Sequence, residues 1–551
     1  MRQGQALFRL FLQGLSILPF YNIFIMFVLR LLIVFIVMMF AGAISGHGQV
    51  VLDIKKPLES QLIREGECYL IDKALNLNGK TVKLPKGSTL EFKSKGCLTN
   101  GRIVGNETLI KNPKLQKVRF GGSFINTEIN LSDEFDGETD FWGLLQAFPS
   151  AEIILAKDII LPESNDKSIE IRHFHLNGKR HTVTVRRFPV LKYADVLLVN
   201  TIFDCRKARE RVISATGENE SRKFIVKNCT FKNVPEVFTL WPKLYKDVVI
   251  EECSIYGILN DNSKSTIKNI SQIRVQGCIG SVVVRRNTIS NCFGTGISGC
   301  YFKPEDKTNV LFEENRIDHV TGGGIIFVSG AVRNAIVRGN HITRTHTLGI
   351  QFEDEIDGGP NSSINFHGFY NALVENNVIE NCPNSFCFDF DGSLKGKDYI
   401  AKGKGLTVRG NKVLNSGPVA LFVVEDVDFS CNRFEGRIYH RTNSAILVMG
   451  ARDVKISRND FNYSLGEGDA VYPIYARDIK KVSSGKLQIE DNKVSTDGND
   501  FLYLNSDFTG ECMVRRNAIG RVGSKDGNLN IINKSRAKVT VVKNNRIMNI
   551  H

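Results

Sequence analysis

Val284-Arg-Arg-Asn287-Thr-Ile289, Phe312-Glu-Glu-Asn315-Arg-Ile317 and Val337-Arg-Gly-Asn340-His-Ile342 are three copies of one phrase, apolar-x-x-Asn-x-apolar. Downstream the phrase recurs around Asn377, Asn411, Asn432, Asn459, Asn492, Asn517 and Asn545. Upstream it reads Leu197-x-x-Asn200-x-Ile202, and twice it carries Cys in the Asn slot, at Cys229 and Cys253. Thirteen copies therefore lie between residues 200 and 545, at a mean spacing of about 29 residues. A period in this range is that of a solenoid whose repeats each contact only their neighbours. The apolar residues three before and two after the Asn read as inward-facing strand residues on either side of a tight bend. Asn suits such a bend because it tolerates left-handed torsions and can hydrogen-bond along the stack. Each period is then one coil of three short strands, and the stacked coils carry an internal Asn ladder. Cys229 and Cys253 are small enough to share that column as thiols, and a disulfide between them is a second possibility.

A second phrase follows each Asn by about nine residues: Gly296-Ile297, Gly324-Ile325 and Gly349-Ile350, blurring into Ser385-Phe386, Ala420-Leu421 and Phe501-Leu502. It reads as the next strand, entered through a Gly turn. On these two phrases residues 197–551 resemble the right-handed parallel β-helix superfamily, the pectin lyase-like fold. The resemblance implies an all-β, single-stranded solenoid and names no particular enzyme family. Asp136-Gly-Glu-Thr-Asp140 followed by Phe141, Trp142, Leu144, Leu145 and Phe148 reads as a capped amphipathic helix. It is similar to the helix that plugs the N-terminal end of many such folds, so residues 131–196 are assigned to a capping helix and the first coils. Short alternating segments in 49–130, such as Cys68-Tyr-Leu-Ile and Gly87-Ser-Thr-Leu-Glu-Phe, read as a small β subdomain or extra coils. They resemble N-terminal regions of exported β-helix proteins from gut-type bacteria. The last residue, His551, follows the last ladder Asn by six residues, which leaves an apolar end open to pairing.

Residues 6–45 are almost wholly apolar, broken by Arg9, Gln13, Asn22 and Arg30. Starting at Met1 they can anchor the chain in a bilayer. Starting at Met26, Arg30 becomes a basic n-region, Leu31–Phe40 an apolar h-region and Ala41-Gly42-Ala43 a small-residue cleavage site. Residues 1–48 are therefore a signal peptide or a transmembrane segment. The bulk of the chain is expected to be exported, to the periplasm, cell surface or medium, with inner-membrane anchoring if the segment is retained. Globular composition excludes a disordered or membrane-filling chain, and twelve Cys match no C-x-x-C zinc spacing. Lys+Arg 72 against Asp+Glu 58 gives a net charge of +14, which favours polyanionic partners.

In the resembled superfamily ligands lie along the strand after the ladder turn and its flanking loops. In Gly349-Ile-Gln-Phe-Glu-Asp-Glu, alternation puts Ile350 and Phe352 inside and Gln351 and Glu353 outside. In the next coil Phe386, Phe388 and Phe390 face in, and Cys387, Asp389 and Asp391 face out. Glu353 and Asp389 are thus expected to be neighbours, with Asp354, Glu355, Asp357 and Asp391 close by. Stacked like charges cost energy unless a proton, a cation or a basic group relieves them. Glu353, Asp389, Asp391 and His367, the last in the long excursion between Asn340 and Asn377, are the catalytic candidates. Glu355, Asp357, Arg344 and His346 are candidates for substrate binding. No cofactor is required, although Asp354, Asp389 and Asp391 could hold Ca²⁺. Trp241 and Tyr472, on one strand column, could stack on sugar rings or simply pack. Polygalacturonase motifs are missing, since Phe366-His367-Gly368 is only a fragment and Gly46-His47-Gly48 sits beside the signal. No Arg base is singled out as pectate lyases would require.

Three functions stay open. One is a glycoside hydrolase acting on an oligo- or polysaccharide, an acidic one being favoured by the net charge, through the carboxylates around Glu353 and Asp389. Another is a Ca²⁺-dependent polysaccharide lyase. The last is a non-catalytic surface glycan-binding or structural β-helix. The expected partner is a polysaccharide or oligosaccharide, with no nucleic acid and no membrane contact except through residues 1–45 if these are uncleaved.

Overall fold

The computed structural model describes residues 49–53, 55–131, 140–164, 166–218, 222–260, 270–302, 308–328, 332–353, 369–389, 403–438, 444–465, 472–479, 483–496, 500–522, 525–526, 531–541 and 546–547. The signal or anchor segment 1–48 lies outside them, and so does Asn545. Among the described residues no helix is long and apolar enough to cross a membrane.

Each period of the repeat is one coil of three strands, and every strand pairs in parallel with its counterpart one coil away. In one coil these are Ser281–Arg285, Thr288–Cys292 and Thr295–Cys300. Stacking gives three long parallel sheets. Sheet 1 contains the strands before the Asn. Among the described residues sheet 2, with 16 strands, contains those after it together with the short antiparallel Lys525–Asp526, and sheet 3, with 14 strands, those of the Gly-Ile phrase. One inward-facing core runs through the stack, with Val284, Ile289 and Ile297 each fully buried.

The Asn column forms as a ladder from Asn287 through Asn517. Asn377 is typical. Its backbone N–H and its Nδ2 both donate to Asn411 Oδ1, each at 2.9 Å, and its Nδ2 also donates to the Val337 carbonyl at 2.9 Å. Its own Oδ1 accepts from the Asn340 backbone N–H and Nδ2. The left-handed torsion, however, belongs to the residue before each ladder Asn: Arg286 (φ 54), Glu314 (φ 53), Asn376 (φ 55), Asp491 (φ 59). The Asn is selected for its amide and the bend falls on its neighbour. The first copy corrects the sequence reading in the same way. Asn200 (φ 50) is a bend residue, and Thr201 holds the ladder slot, since Ile202, Thr230, Ser254 and Thr288 align. A slip of one residue exchanges the two faces of a strand. Cys229 and Cys253 do occupy the column, as free thiols donating to the Lys227 and Glu251 carbonyls.

The Gly column of sheet 3 is explained by close approach. A Cβ on Gly296 would sit 2.7 Å from the Gly324 carbonyl oxygen, and one on Gly349 2.5 Å from that of Ser385. Neither glycine has a positive φ. Ala420-Leu421 is two residues out of phase, because Phe386 aligns with Val419 and the equivalent pair is Pro418-Val419.

Coils begin well before the repeat phrase is readable, with Ile159–Ile160, Ser168–Glu170 and His173–Asn177 already in the three sheets. Further upstream, seven strands form a separate parallel sheet. Its long strand Cys97–Lys111 pairs in turn with Ala74–Asn76, Thr81–Lys83 and Thr89–Phe92, so it traces most of a coil by itself. The helix Phe141–Ala147 is capped by Asp140, whose Oδ1 accepts from the Gly143 N–H at 2.9 Å. It buries Phe141, Trp142, Leu144 and Leu145 at the junction, where Phe148 stacks on Phe124 at 4.4 Å and Trp142 meets Phe188 at 5.2 Å.

Candidate functional site on the outer face of sheet 3

The parallel register of sheet 3 sets its outer residues in rows along the helix axis. One row reads Trp241, Arg274, Ser298, Ile326, Gln351, Cys387, Ala420, Leu447, Tyr475, Tyr503. Aromatic groups stand at both ends of this stretch, which the register continues to Ser214 on one side and Ile532 on the other. At the first end the Trp241 ring lies 4.4 Å from Phe238, and its Nε1 donates to Gln276 Oε1 at 2.9 Å. The Lys243 Nζ sits 3.6 Å over the Trp241 ring, and the Arg274 guanidinium is 5.4 Å from it. Burial, together with the Arg211 and Arg274 charges, lowers the Lys243 pKa. Both charges raise the cost of carrying the proton there. At the far end Tyr475 and Tyr503 stack in parallel at 5.1 Å, with Tyr472 4.8 Å from Tyr503.

Between these ends Glu353 pairs with Asp389 on the adjoining strand, one position beyond the inward Phe352 and Phe388. Adjacent strands lie about 4.8 Å apart, so the backbone brings these two carboxyl-bearing positions side by side. Asp354, Glu355, Asp357, His367 and Asp391 lie outside the described residues. Arg344 and His346 are at the corner between sheets 2 and 3. The Arg344 guanidinium grips Asp318 on the neighbouring coil, with Nε 2.7 Å from Oδ1, and the His346 ring is 5.8 Å from His319. Trp241 and Tyr472 share sheet 3, but the row of Trp241 runs to Tyr475 and Tyr503. Phe238, Lys243, Arg274, Tyr475 and Tyr503 were not among the sequence candidates. Counting residues in register from the ladder Asn is the signal that finds them. Among the described residues no group of three or more His, Cys, Asp or Glu side chains is placed to hold a metal ion.

The family described as right handed beta helix region matches residues 211–434. The chain folds as a right-handed parallel β-helix. No curated protein matches it. Among solved structures, the catalytic domain of a GH87 α-1,3-glucanase in complex with tetrasaccharides is 10% identical, covering 90% of this chain and 68% of that one, with a TM-score of 0.30. An A-module of mannuronan C-5 epimerase from Azotobacter vinelandii is 12% identical, covering 91% and 93%, with a TM-score of 0.25. The receptor binding domain of the Siphovirus 9NA tailspike is 12% identical, covering 92% and 78%, with a TM-score of 0.23.

Proposed function

We propose that this β-helix is an exported glycoside hydrolase that binds a polysaccharide along the outer face of sheet 3 and cleaves it at the Glu353–Asp389 step. One observation carries this reading: a single row of sheet 3 carries Trp241 and, eight strands on, the Tyr475–Tyr503 stack, and passes beside the pairing of Glu353 with Asp389. Aromatic faces suit the apolar faces of sugar rings, and a straight row suits a polymer. One carboxylic acid of the pair would protonate the leaving glycosidic oxygen. The other, as carboxylate, would deprotonate the attacking water or attack the anomeric carbon itself. Arg344, held by Asp318, is proposed to orient substrate from the corner.

The test incubates the full chain with a panel of neutral and acidic polysaccharides and reads both reducing ends and unsaturated uronate absorbance. New reducing ends without the uronate signal, falling roughly a hundredfold or more in Glu353→Gln and Asp389→Asn, are the expected result. An unsaturated product abolished by EDTA would instead make the protein a lyase. Retained binding with no product would reduce it to a glycan-binding scaffold.

A further inference from the structure

In one column of sheet 1, charge is neutralised coil by coil. In sheet 1 the outer positions Lys227, Glu251, Arg285, Glu313, Arg338, Glu375 and Arg409 follow one another coil by coil in strict alternation. Lys227 and Arg285 each reach Glu251 at 2.7 Å, Arg338 reaches Glu313 at 2.6 Å, and Arg409 reaches Glu375 at 2.9 Å.

Another part of the helix carries charge of mainly one sign. Between sheets 2 and 3, near the first end of the Trp241 row, a cleft of about 390 Å³ is lined by Glu163, Arg186, Arg206, Lys207, Ala208 and Arg209. Its walls are three loops from successive coils, the last two joined by the Arg209 N–H donating to the Arg186 carbonyl at 3.0 Å. Among the described residues none of Arg186, Arg206, Lys207 and Arg209 forms a salt bridge, and the Arg186 Nε is buried without a hydrogen-bond partner. The nearby acids offset them only in part, the Arg206 charge being one of the causes that lower the Asp204 pKa. Glu163 is a single charge on the rim, Glu210 is taken by Arg211 at 2.7 Å, and Asp204 accepts from Asn233 and the Arg206 backbone. The cleft adjoins the Trp241 platform, because Arg211, on the strand that follows it, is the register partner of Phe238, and the Arg211 and Arg274 charges both act on Lys243.

We infer that this corner is an anion-binding subsite, and that the polysaccharide on sheet 3 is acidic, its sulfates or carboxylates held by Arg186, Arg206, Lys207 and Arg209. The inference rests on the reading of sheet 3 as a polysaccharide-binding face. Guanidinium groups clustered without partners repel one another, and an anionic ligand relieves that repulsion with charge-assisted hydrogen bonds. The reading of sheet 3 as a polysaccharide face selects a sugar polymer, and since bases also stack on aromatic rings beside basic groups, a single-stranded nucleic acid is the alternative that the test includes. The acidic Glu353–Asp389 step lies four strands further along the axis from Trp241, about 19 Å away, so a basic holding site and an acidic reacting site coexist on one face.

The full chain is titrated with heparin (sulfated), polygalacturonate (carboxylated), dextran (neutral) and an oligo-dT strand, at roughly 50 and 200 mM salt. The expected result is binding to heparin or polygalacturonate but not dextran, weakened by salt. It should weaken roughly tenfold or more in Arg206→Glu/Arg209→Glu and less in Arg206→Gln/Arg209→Gln. Lys534→Glu/Arg536→Glu, which changes net charge equally at exposed positions far along the chain, should leave binding within about twofold. Circular dichroism and thermal melting confirm that each variant is folded. Equal losses in the corner and control variants, dextran binding as tightly as the acidic chains, or oligo-dT binding tighter than both would overturn the inference. Glu353→Gln separates the two readings. Acidic-chain binding that needs the corner but yields no product in the unaltered chain removes the hydrolase and keeps the subsite. Cleavage of a neutral glycan untouched by Arg206→Glu/Arg209→Glu does the reverse.

Discussion

Asn377 is fully buried and each of its amide groups is spoken for: two donations forward to Asn411, one to the Val337 carbonyl, and two accepted from Asn340. Asn377→Ala leaves a buried N–H and a buried C=O without partners, at a cost of about 2–4 kcal/mol. Asn377→Asp is worse, since a carboxylate cannot donate to Val337 or to Asn411 and would bury a charge. Asn377→Thr should cost least, because Thr201 fills the equivalent slot by bonding back to the Val199 carbonyl at 2.8 Å. Melting temperatures ordered Thr, Ala, Asp from highest to lowest are expected, and Asp melting above Ala would refute the account. The ladder was readable in the sequence because one residue type recurs at one spacing. Its phase at Asn200 was not, since an Asn can serve either the bend or the ladder and only the inward alternation of Leu198 and Phe203 decides between them.

At the scale of the element, the alternating column of sheet 1 makes stability depend on pH in a definite direction. Hydrogen bonds from Lys227 and Arg285 hold the Glu251 carboxyl below its ordinary pKa. A carboxylate with a depressed folded pKa adds stability that is present above its unfolded pKa, near 4.5, and is lost as the pH falls through the lower folded value. Glu251→Gln should therefore cost about 1–2 kcal/mol at neutral pH, and less below pH ~4, where the native carboxyl is itself protonating. Denaturant titrations at pH 7 and pH 3 measure this, and a cost that grows on acidification would contradict it. Strand identity was legible from Asn and Gly spacing, yet the reason for the Gly was not. A neighbouring carbonyl 2.5–2.7 Å from an imagined Cβ is a contact between residues 28 and 36 positions apart in the two cases, which no local pattern encodes. The same holds for the site. Glu353 and Asp389 could be paired from the two phrases, whereas the Trp241 row required every intervening coil length to be counted.

At the scale of the whole molecule, the decisive property is that one row on one face joins two aromatic platforms. Trp241 and Tyr475 stand eight strand steps apart in sheet 3, about 38 Å at roughly 4.8 Å per step. A short oligosaccharide can occupy only one platform. A chain long enough to reach both gains its second contact as an intramolecular event, so its affinity rises by the effective concentration of the tethered end. Affinity should climb with chain length and level off once the ligand spans about 38 Å. Trp241→Ala should weaken long and short ligands alike if short ones prefer the platform flanked by Lys243 and Arg274, by roughly tenfold each. A Tyr475→Ala/Tyr503→Ala variant should spare the short ligands and remove only the gain with length. A calorimetric series over oligosaccharide length reads both effects at once. A flat series in the unaltered protein would mean that the platforms never act on one chain, and that the row is packing without a polymer along it.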